Sequence, residues 1–172
     1  MNTYIILLKG VNVGGKQLLP MKELKALLGR GFENVKTYIQ SGNIVLMATK
    51  NPKSDIRALI QSEYGFAPEV LALSEIEFIS TISNNPYQEY EGNLVHFFFC
   101  KDSSKVDSTK LEELKAETES YELIGGVFYL HAPNGIGRSK LVANIETCFG
   151  GAPVTGRNLN TVNKLRDMVE NT

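Results

Sequence analysis

The feature that most constrains the fold is one order of secondary-structure signals that occurs twice along the chain. In the first copy, an apolar, β-branched strand at residues 3–8 precedes a helix that Pro20 opens. A hairpin follows around Ser41-Gly42, then a helix that Gly65 closes, and then the strand PEVLAL. The order β-α-β-β-α-β is typical of a ferredoxin-like unit with an antiparallel sheet.

The same order follows in the second half of the chain. NLVHFFFC is apolar on both faces and predicts a central strand, and a helix is expected to start at Thr109. YELI and VFYL form a hairpin around Gly125-Gly126, residues 141–149 carry a helical stripe, APVT predicts a short strand, and residues 159–170 a final helix. We therefore predict an α+β protein of two ferredoxin-like β-α-β-β-α-β halves with antiparallel sheets, plus a C-terminal helix.

The predicted segment boundaries follow these signals. The first ferredoxin-like half spans residues 1–73. Residues 74–92 form a connecting helix and linker, because Ser74 and Glu77 make a capping box and the stretch NNPYQEYEG is typical of a linker. The second half, with its C-terminal helix, spans residues 93–172.

Charge and residue usage argue against several classes of function. The net charge is −1 and the isoelectric point about 6.2, whereas proteins that hold nucleic acid without sequence preference present a basic surface. No apolar run approaches the roughly 18 residues that span a bilayer, and no signal peptide is recognisable, so we expect a cytoplasmic protein without membrane contact. Cys100, Cys148 and the two histidines lack metal-ligand spacing, so we expect no metal and no cofactor.

The stretch GVNVGGKQ resembles a P-loop only in part. Gly10, Gly15 and Lys16 have the required spacing, but Gln17 occupies the position of the magnesium-binding Ser or Thr. The predicted helix begins only at Pro20, and a hairpin follows it where a parallel strand is needed. We therefore expect neither a P-loop nor magnesium-dependent ATP binding, and the stretch is either another anion cradle or a glycine-rich turn.

The predicted topology brings polar loops together in each half. The first and second strands of a half end at one edge of its sheet, so GVNVGGK should lie beside QSGN. The third and fourth strands end at the opposite edge, so HAPNGIGRSK should lie beside TGRNLNT, with Ser139 and Asn158 or Asn160 as helix N-caps. The candidate ligand-binding residues are Lys9, Asn12, Gly14, Gly15, Lys16, Ser41, Asn43, His131, Arg138, Ser139, Lys140, Arg157, Asn158, Thr161 and Lys164.

These loops favour a small anion as ligand. Arginine binds phosphate or carboxylate through two parallel hydrogen bonds, and Arg138, Lys140 and Arg157 are expected to share one anion site. The alternative is that glycines only shape turns and that the basic side chains are solvated. His131 ends a strand beside the basic loop and is the one candidate proton carrier, whereas His96 lies inside an apolar strand and is expected to be structural. No catalytic residue is assigned.

Four blocks of the chain, LKGVNVGGK, TYIQSGNIVL, GIGRSKL and TGRNLNTVNKL, resemble the bacterial family labelled domain of unknown function 1697. The family pattern usually has Arg where this chain has Lys9, and often Trp where it has Leu159. The first change loses the guanidinium fork and the second a ring that could stack. The resemblance implies a two-part ferredoxin-like architecture and no particular activity.

The function predicted from these observations is a cytoplasmic protein that binds a small phosphorylated or otherwise anionic ligand, such as a nucleotide. Two alternatives stay open. One is an enzyme that acts on a phosphorylated substrate, and the other is a structural or protein-interaction module. The oligomeric state stays open as well.

Overall fold

The computed structural model describes residues 1–171, so Thr172, the last residue of the predicted segment 93–172, lies outside the described residues. Two four-stranded sheets and seven helices follow one another in the predicted order. The strands are β1 (Asn2–Lys9), β2 (Glu33–Tyr38), β3 (Asn43–Ala48), β4 (Glu69–Ser74), β5 (Val95–Cys100), β6 (Ser120–Ile124), β7 (Val127–His131) and β8 (Val154–Asn158). The helices are α1 (Met21–Leu28), α2 (Lys53–Tyr64), α3 (Glu75–Ser83), α4 (Ser108–Leu114), α5 (Lys140–Ala143), α6 (Ile145–Cys148) and α7 (Leu159–Glu170).

The first sheet has the order β2-β3-β1-β4, and every neighbouring pair of strands in it is antiparallel. β1 is a central strand, which explains why its run from Tyr4 to Leu8 is apolar on both faces and buried. Ile6 and Leu8 pack with Leu24 of α1 and Ile56 of α2 in one hydrophobic cluster. Because β1 is antiparallel to both neighbours, the parallel sheet that a P-loop requires is absent from this unit, as expected.

The second sheet has the order β6-β7-β5-β8 and is likewise antiparallel throughout. β5 is central, as its pattern predicts, and Phe97, Phe98 and Phe99 are core residues. On one face Phe98 packs with Leu111 of α4 and Leu141 of α5. The two sheets with their helices confirm the predicted α+β fold of two ferredoxin-like halves with a C-terminal helix.

Local signals place most helix ends correctly. Ser74 and Glu77 form the predicted capping box, since the Ser74 N–H donates to Glu77 Oε2 (2.8 Å) and the Glu77 N–H to Ser74 Oγ (3.2 Å). Two details differ from expectation. The N-cap of α4 is Asp107, whose carboxylate accepts from the Lys110 N–H, so the helix begins before Thr109. The helix predicted over residues 141–149 is two short helices, because the backbone leaves helical geometry at Asn144.

The chain divides into two compact units. One comprises Met1–Ser80 together with the residues from Lys164 onward, and the other is Thr81–Asn163. The predicted segments 1–73, 74–92 and 93–172 followed the order of elements along the chain, whereas the compact units follow contacts, and those predicted boundaries stay a prediction. Within residues 1–171, every helix is too short or too polar to cross a bilayer.

Candidate functional site

In the first unit, the Asn12 side chain joins the two predicted loops. Its Nδ2 donates to the carbonyls of Leu19 (2.9 Å) and Gln40 (2.8 Å), and its Oδ1 accepts from the Leu19 N–H (2.7 Å). The bond to Gln40 confirms that GVNVGGK lies beside the turn QSGN. Its side chain therefore holds the loops in place, and this role accounts for its position without a ligand.

The tip of the first loop is a tight hairpin. The Lys16 N–H donates to the Val13 carbonyl (3.0 Å), and the two central residues, Gly14 and Gly15, have φ of +59° and +71°. Positive φ at both central residues is the geometry of a type I′ turn, which Gly-Gly adopts without strain. The glycines thus satisfy a turn requirement, and the Lys16 side chain is exposed beside them.

Backbone strain concentrates in these two loops of the first unit. Of the four non-glycine residues with positive φ in residues 1–171, three lie here, namely Asn12, Gln17 and Ile39. A β-branched residue such as Ile39 adopts this conformation at a cost, and strained positions of this kind persist where surrounding contacts enforce them. Ile39 is also 49% exposed, as are Val13 and Leu18 to a greater extent.

Ser41 and Asn43 support the turn rather than face solvent together. Asn43 is 0% exposed, and its Nδ2 donates to the Tyr38 carbonyl (3.1 Å) and to Ser41 Oγ (2.8 Å). Two further cations of the candidate set belong to this unit. Lys9 ends β1 opposite Glu69 of β4, and Lys164 places Nζ 5.9 Å from the centre of the Tyr38 ring. Lys164 therefore lies beside the first-half turn, although the sequence grouped it with Arg157.

In the second unit, β7 and β8 flank β5 and end at the same edge of the sheet. His131, the last residue of β7, pairs with Val95, and Asn158, the last residue of β8, pairs with His96. The Ala132 N–H donates to the Leu94 carbonyl (2.9 Å), which fixes the start of the loop that leads to Arg138. The backbone juxtaposition predicted for HAPNGIGRSK and TGRNLNT is therefore present.

Arg157 lies in β8, whereas the sequence placed it in a loop. It pairs with Phe97 of β5, and its guanidinium donates to the Gly156 carbonyl (2.8 Å). Burial lowers the pKa of Arg157 to about 10, because a cation withdrawn from water loses hydration. Alternation along β8 puts Arg157 on the face of Phe97, whereas Gly156 and Asn158 belong to the face of Phe98.

The remaining polar residues of this end act first as helix caps. Ser139 Oγ accepts from the Val142 N–H (3.2 Å) at the start of α5, and Asn158 Oδ1 accepts from the Thr161 N–H (2.9 Å) at the start of α7. Thr161 itself is buried. Arg138 and Lys140 are exposed on the loop and first turn before Leu141. Convergence of these two cations with Arg157 on one anion stays a prediction.

His131 belongs to an aromatic cluster that sequence reasoning missed. Its ring stacks on Tyr90 with centroids 3.9 Å apart, and Tyr87 lies 5.9 Å away. Burial, with Glu122 and Tyr90 nearby, raises the pKa of Tyr87 to about 12. The signal available in the sequence was the pair Tyr87 and Tyr90 in a segment interpreted only as a linker.

His96 is the second residue whose environment the sequence did not reveal. It is 7% exposed, its ring stacks on Phe98, and its Nε2 is buried without a hydrogen-bond partner among residues 1–171. Burial lowers the pKa of His96, and a hydrogen bond to the Asn93 carbonyl opposes this shift only in part. His96 is therefore neutral at pH 7.

A pH-dependent stability follows from the lowered pKa of His96. Above about pH 6.5, the ordinary pKa of histidine, the side chain is neutral in the folded and the unfolded chain. Below that pH the unfolded chain binds the proton first, so the free energy of unfolding falls until the pH passes the folded pKa. We expect His96→Phe to flatten this decline. Urea unfolding of both proteins between pH 5 and 7.5 measures it, and parallel curves would contradict it.

Thiol and metal chemistry find little support in the described part of the chain. Cys100 and Cys148 are free thiols, and burial raises the pKa of both, that of Cys100 to about 12. A thiol with a raised pKa is a poor nucleophile at neutral pH. No three of the His, Cys, Asp and Glu residues between positions 1 and 171 come together as a metal site.

The fold and these loops define a class of α+β protein with two ferredoxin-like units. The family described as "Protein of unknown function (DUF1697)" matches residues 1–129, and this chain belongs to it. The blocks GIGRSKL and TGRNLNTVNKL lie beyond the matched residues.

Among solved structures, the chain is similar to the conserved bacterial protein SP0830 from Streptococcus pneumoniae. The two share 24% sequence identity with a TM-score of 0.71, and the similarity covers 99% of each chain. This similarity concerns the fold. No curated protein matches the chain.

Proposed function

We propose that the protein binds a small anionic ligand that carries a phosphate group, at the end of the second sheet where β7 and β8 terminate. The observation that supports this most is the position of Arg157, a cation withdrawn from water beside the two strand ends. An anion next to a dehydrated guanidinium replaces part of its lost hydration with charge-assisted hydrogen bonds.

Two exposed cations extend this position outward. Arg138 and Lys140 lie on the loop that continues from β7, and the N-cap residues Ser139 and Asn158 stand at the two helix starts of this end. Each charge-assisted contact contributes about 1.5–3 kcal/mol, so two or three of them suffice for micromolar affinity. A nucleotide is one ligand with the required chemistry.

We expect Arg138→Ala and Arg157→Ala each to weaken phosphate binding by about tenfold or more, since each removes a charge-assisted hydrogen bond. Isothermal titration with inorganic phosphate and with a nucleoside monophosphate measures the effect. Arg57→Ala is the matched control, because Arg57 is an exposed arginine on α2 of the first unit.

The melting temperature separates binding from stability. Arg138 is exposed, so Arg138→Ala should leave the melting temperature nearly unchanged. Absence of phosphate binding by the wild-type protein, or equal weakening by Arg57→Ala, would contradict the proposed function.

A further inference from the structure

The buried side chain of His96 lies at the same end of the second sheet as the proposed anion site. Its Cα partners are Leu130 of β7 and Asn158 of β8, so the three side chains share one face of the sheet. Leu130 belongs to one cluster with Ala132 and Leu141. The loop that carries Arg138 runs between those last two residues and therefore crosses the face on which His96 lies.

The two ring nitrogens of His96 have different roles. One is engaged with the backbone carbonyl of Asn93, which requires that nitrogen to carry the hydrogen. In the neutral ring Nε2 is then a bare acceptor, and among residues 1–171 it has no hydrogen-bond partner. With 7% of the residue exposed, bulk water does not satisfy this atom. Buried polar atoms without a partner are rare, so a donor from outside the chain is expected here.

We infer that His96 Nε2 accepts a hydrogen bond from a protonated oxygen of the bound anion, so that the site selects hydrogen phosphate or a phosphate monoester over sulfate. This inference rests on the proposed function and specifies its ligand. Inorganic phosphate keeps at least one O–H group at neutral pH, and phosphate monoesters keep one in part because their second pKa is about 6. Sulfate has the same shape and charge but no O–H group, so it would face the Nε2 lone pair with an oxygen lone pair.

The test compares inorganic phosphate with sulfate by isothermal titration at pH 6.5. The wild-type protein is expected to bind phosphate at least about tenfold more tightly, since an acceptor facing an acceptor is penalised like an unmade hydrogen bond. In His96→Phe, which keeps an aromatic ring of similar shape, phosphate affinity should fall by about tenfold to the level of sulfate. Arg138→Ala, by contrast, should weaken both anions equally and preserve their ratio.

A second variant guards against misfolding of His96→Phe. The amide of His96→Gln can turn its N–H₂ outward as a donor, so this variant should bind sulfate as tightly as phosphate. Equal affinity of the wild type for the two anions, or an unchanged ratio in a folded His96 variant, would overturn the inference while the proposed function stands. Binding of neither anion by the wild type would overturn both. A phosphate-soaked crystal with only a water molecule at Nε2 would also overturn the inference.

Discussion

Replacing Gly42 with alanine is expected to lower the free energy of unfolding by about 3–4 kcal/mol, because two costs combine at this position. The backbone has φ of +86°, which L side chains rarely adopt. An added Cβ would lie 2.7 Å from Leu8 Cβ and 3.1 Å from Val11 Cγ2, and both neighbours are buried. The turn cannot retreat easily, since the Gly42 carbonyl accepts from the Leu8 N–H (2.9 Å).

Gly65 is the matched control for Gly42. It has a similar φ of +79°, but an added Cβ there would meet nothing within 4 Å. Gly65→Ala therefore reports the backbone cost alone, about 1 kcal/mol. Urea unfolding of the two variants measures the difference, and equal losses of stability would show that the contact with Leu8 and Val11 is not restrictive.

Asn12→Ala is expected to cost about 3 kcal/mol, the second largest effect. The change removes three hydrogen bonds that join the loop to Leu19 and Gln40. Each contributes about 0.5–1.5 kcal/mol, and alanine at φ +56° adds about 1 kcal/mol of strain. Chemical denaturation measures the total.

Asn12→Gly separates the two contributions, because glycine accepts the positive φ but makes none of the side-chain bonds. This variant should lose about 2 kcal/mol, roughly 1 kcal/mol less than Asn12→Ala. If both variants unfold within about 0.5 kcal/mol of the wild type, the side chain does not hold the two loops together.

The candidate site was only partly accessible to sequence reasoning. Strand order predicts which loops are neighbours, and the hydrogen bond from Asn12 to Gln40 bears this out in the first unit. The same reasoning treated Asn12 and Asn43 as ligand groups, whereas both hold their own loops in shape. Asn, Ser and Gly are the residues of turns as well as of binding sites, so residue type alone does not separate the two roles.

The side chains that define chemical character depended on neighbours far along the chain. The pairing of Tyr90 with His131 joins a segment interpreted as a linker to the end of β7. Lys164 sits beside Tyr38, which lies more than a hundred positions earlier, and not with Arg157 as its sequence position suggested. Such contacts carry no local periodic signal.

The sequence by itself determined the element order and the fold class. Apolar runs such as residues 3–8, hairpin turns such as Gly125-Gly126 and caps such as Ser74 with Glu77 are local, and each acts through a few neighbouring residues. These signals agree along the whole chain, so the predicted order β-α-β-β-α-β appears twice in the structure.

Only the tertiary structure decided which polar groups are withdrawn from water. His96 and Arg157 are ordinary members of strand patterns, yet burial lowers the pKa of both. The cause is the loss of hydration when neighbouring strands and helices enclose a side chain, and enclosure depends on the register of β5 between β7 and β8. Register is a property of paired strands, so no single segment of the sequence contains it.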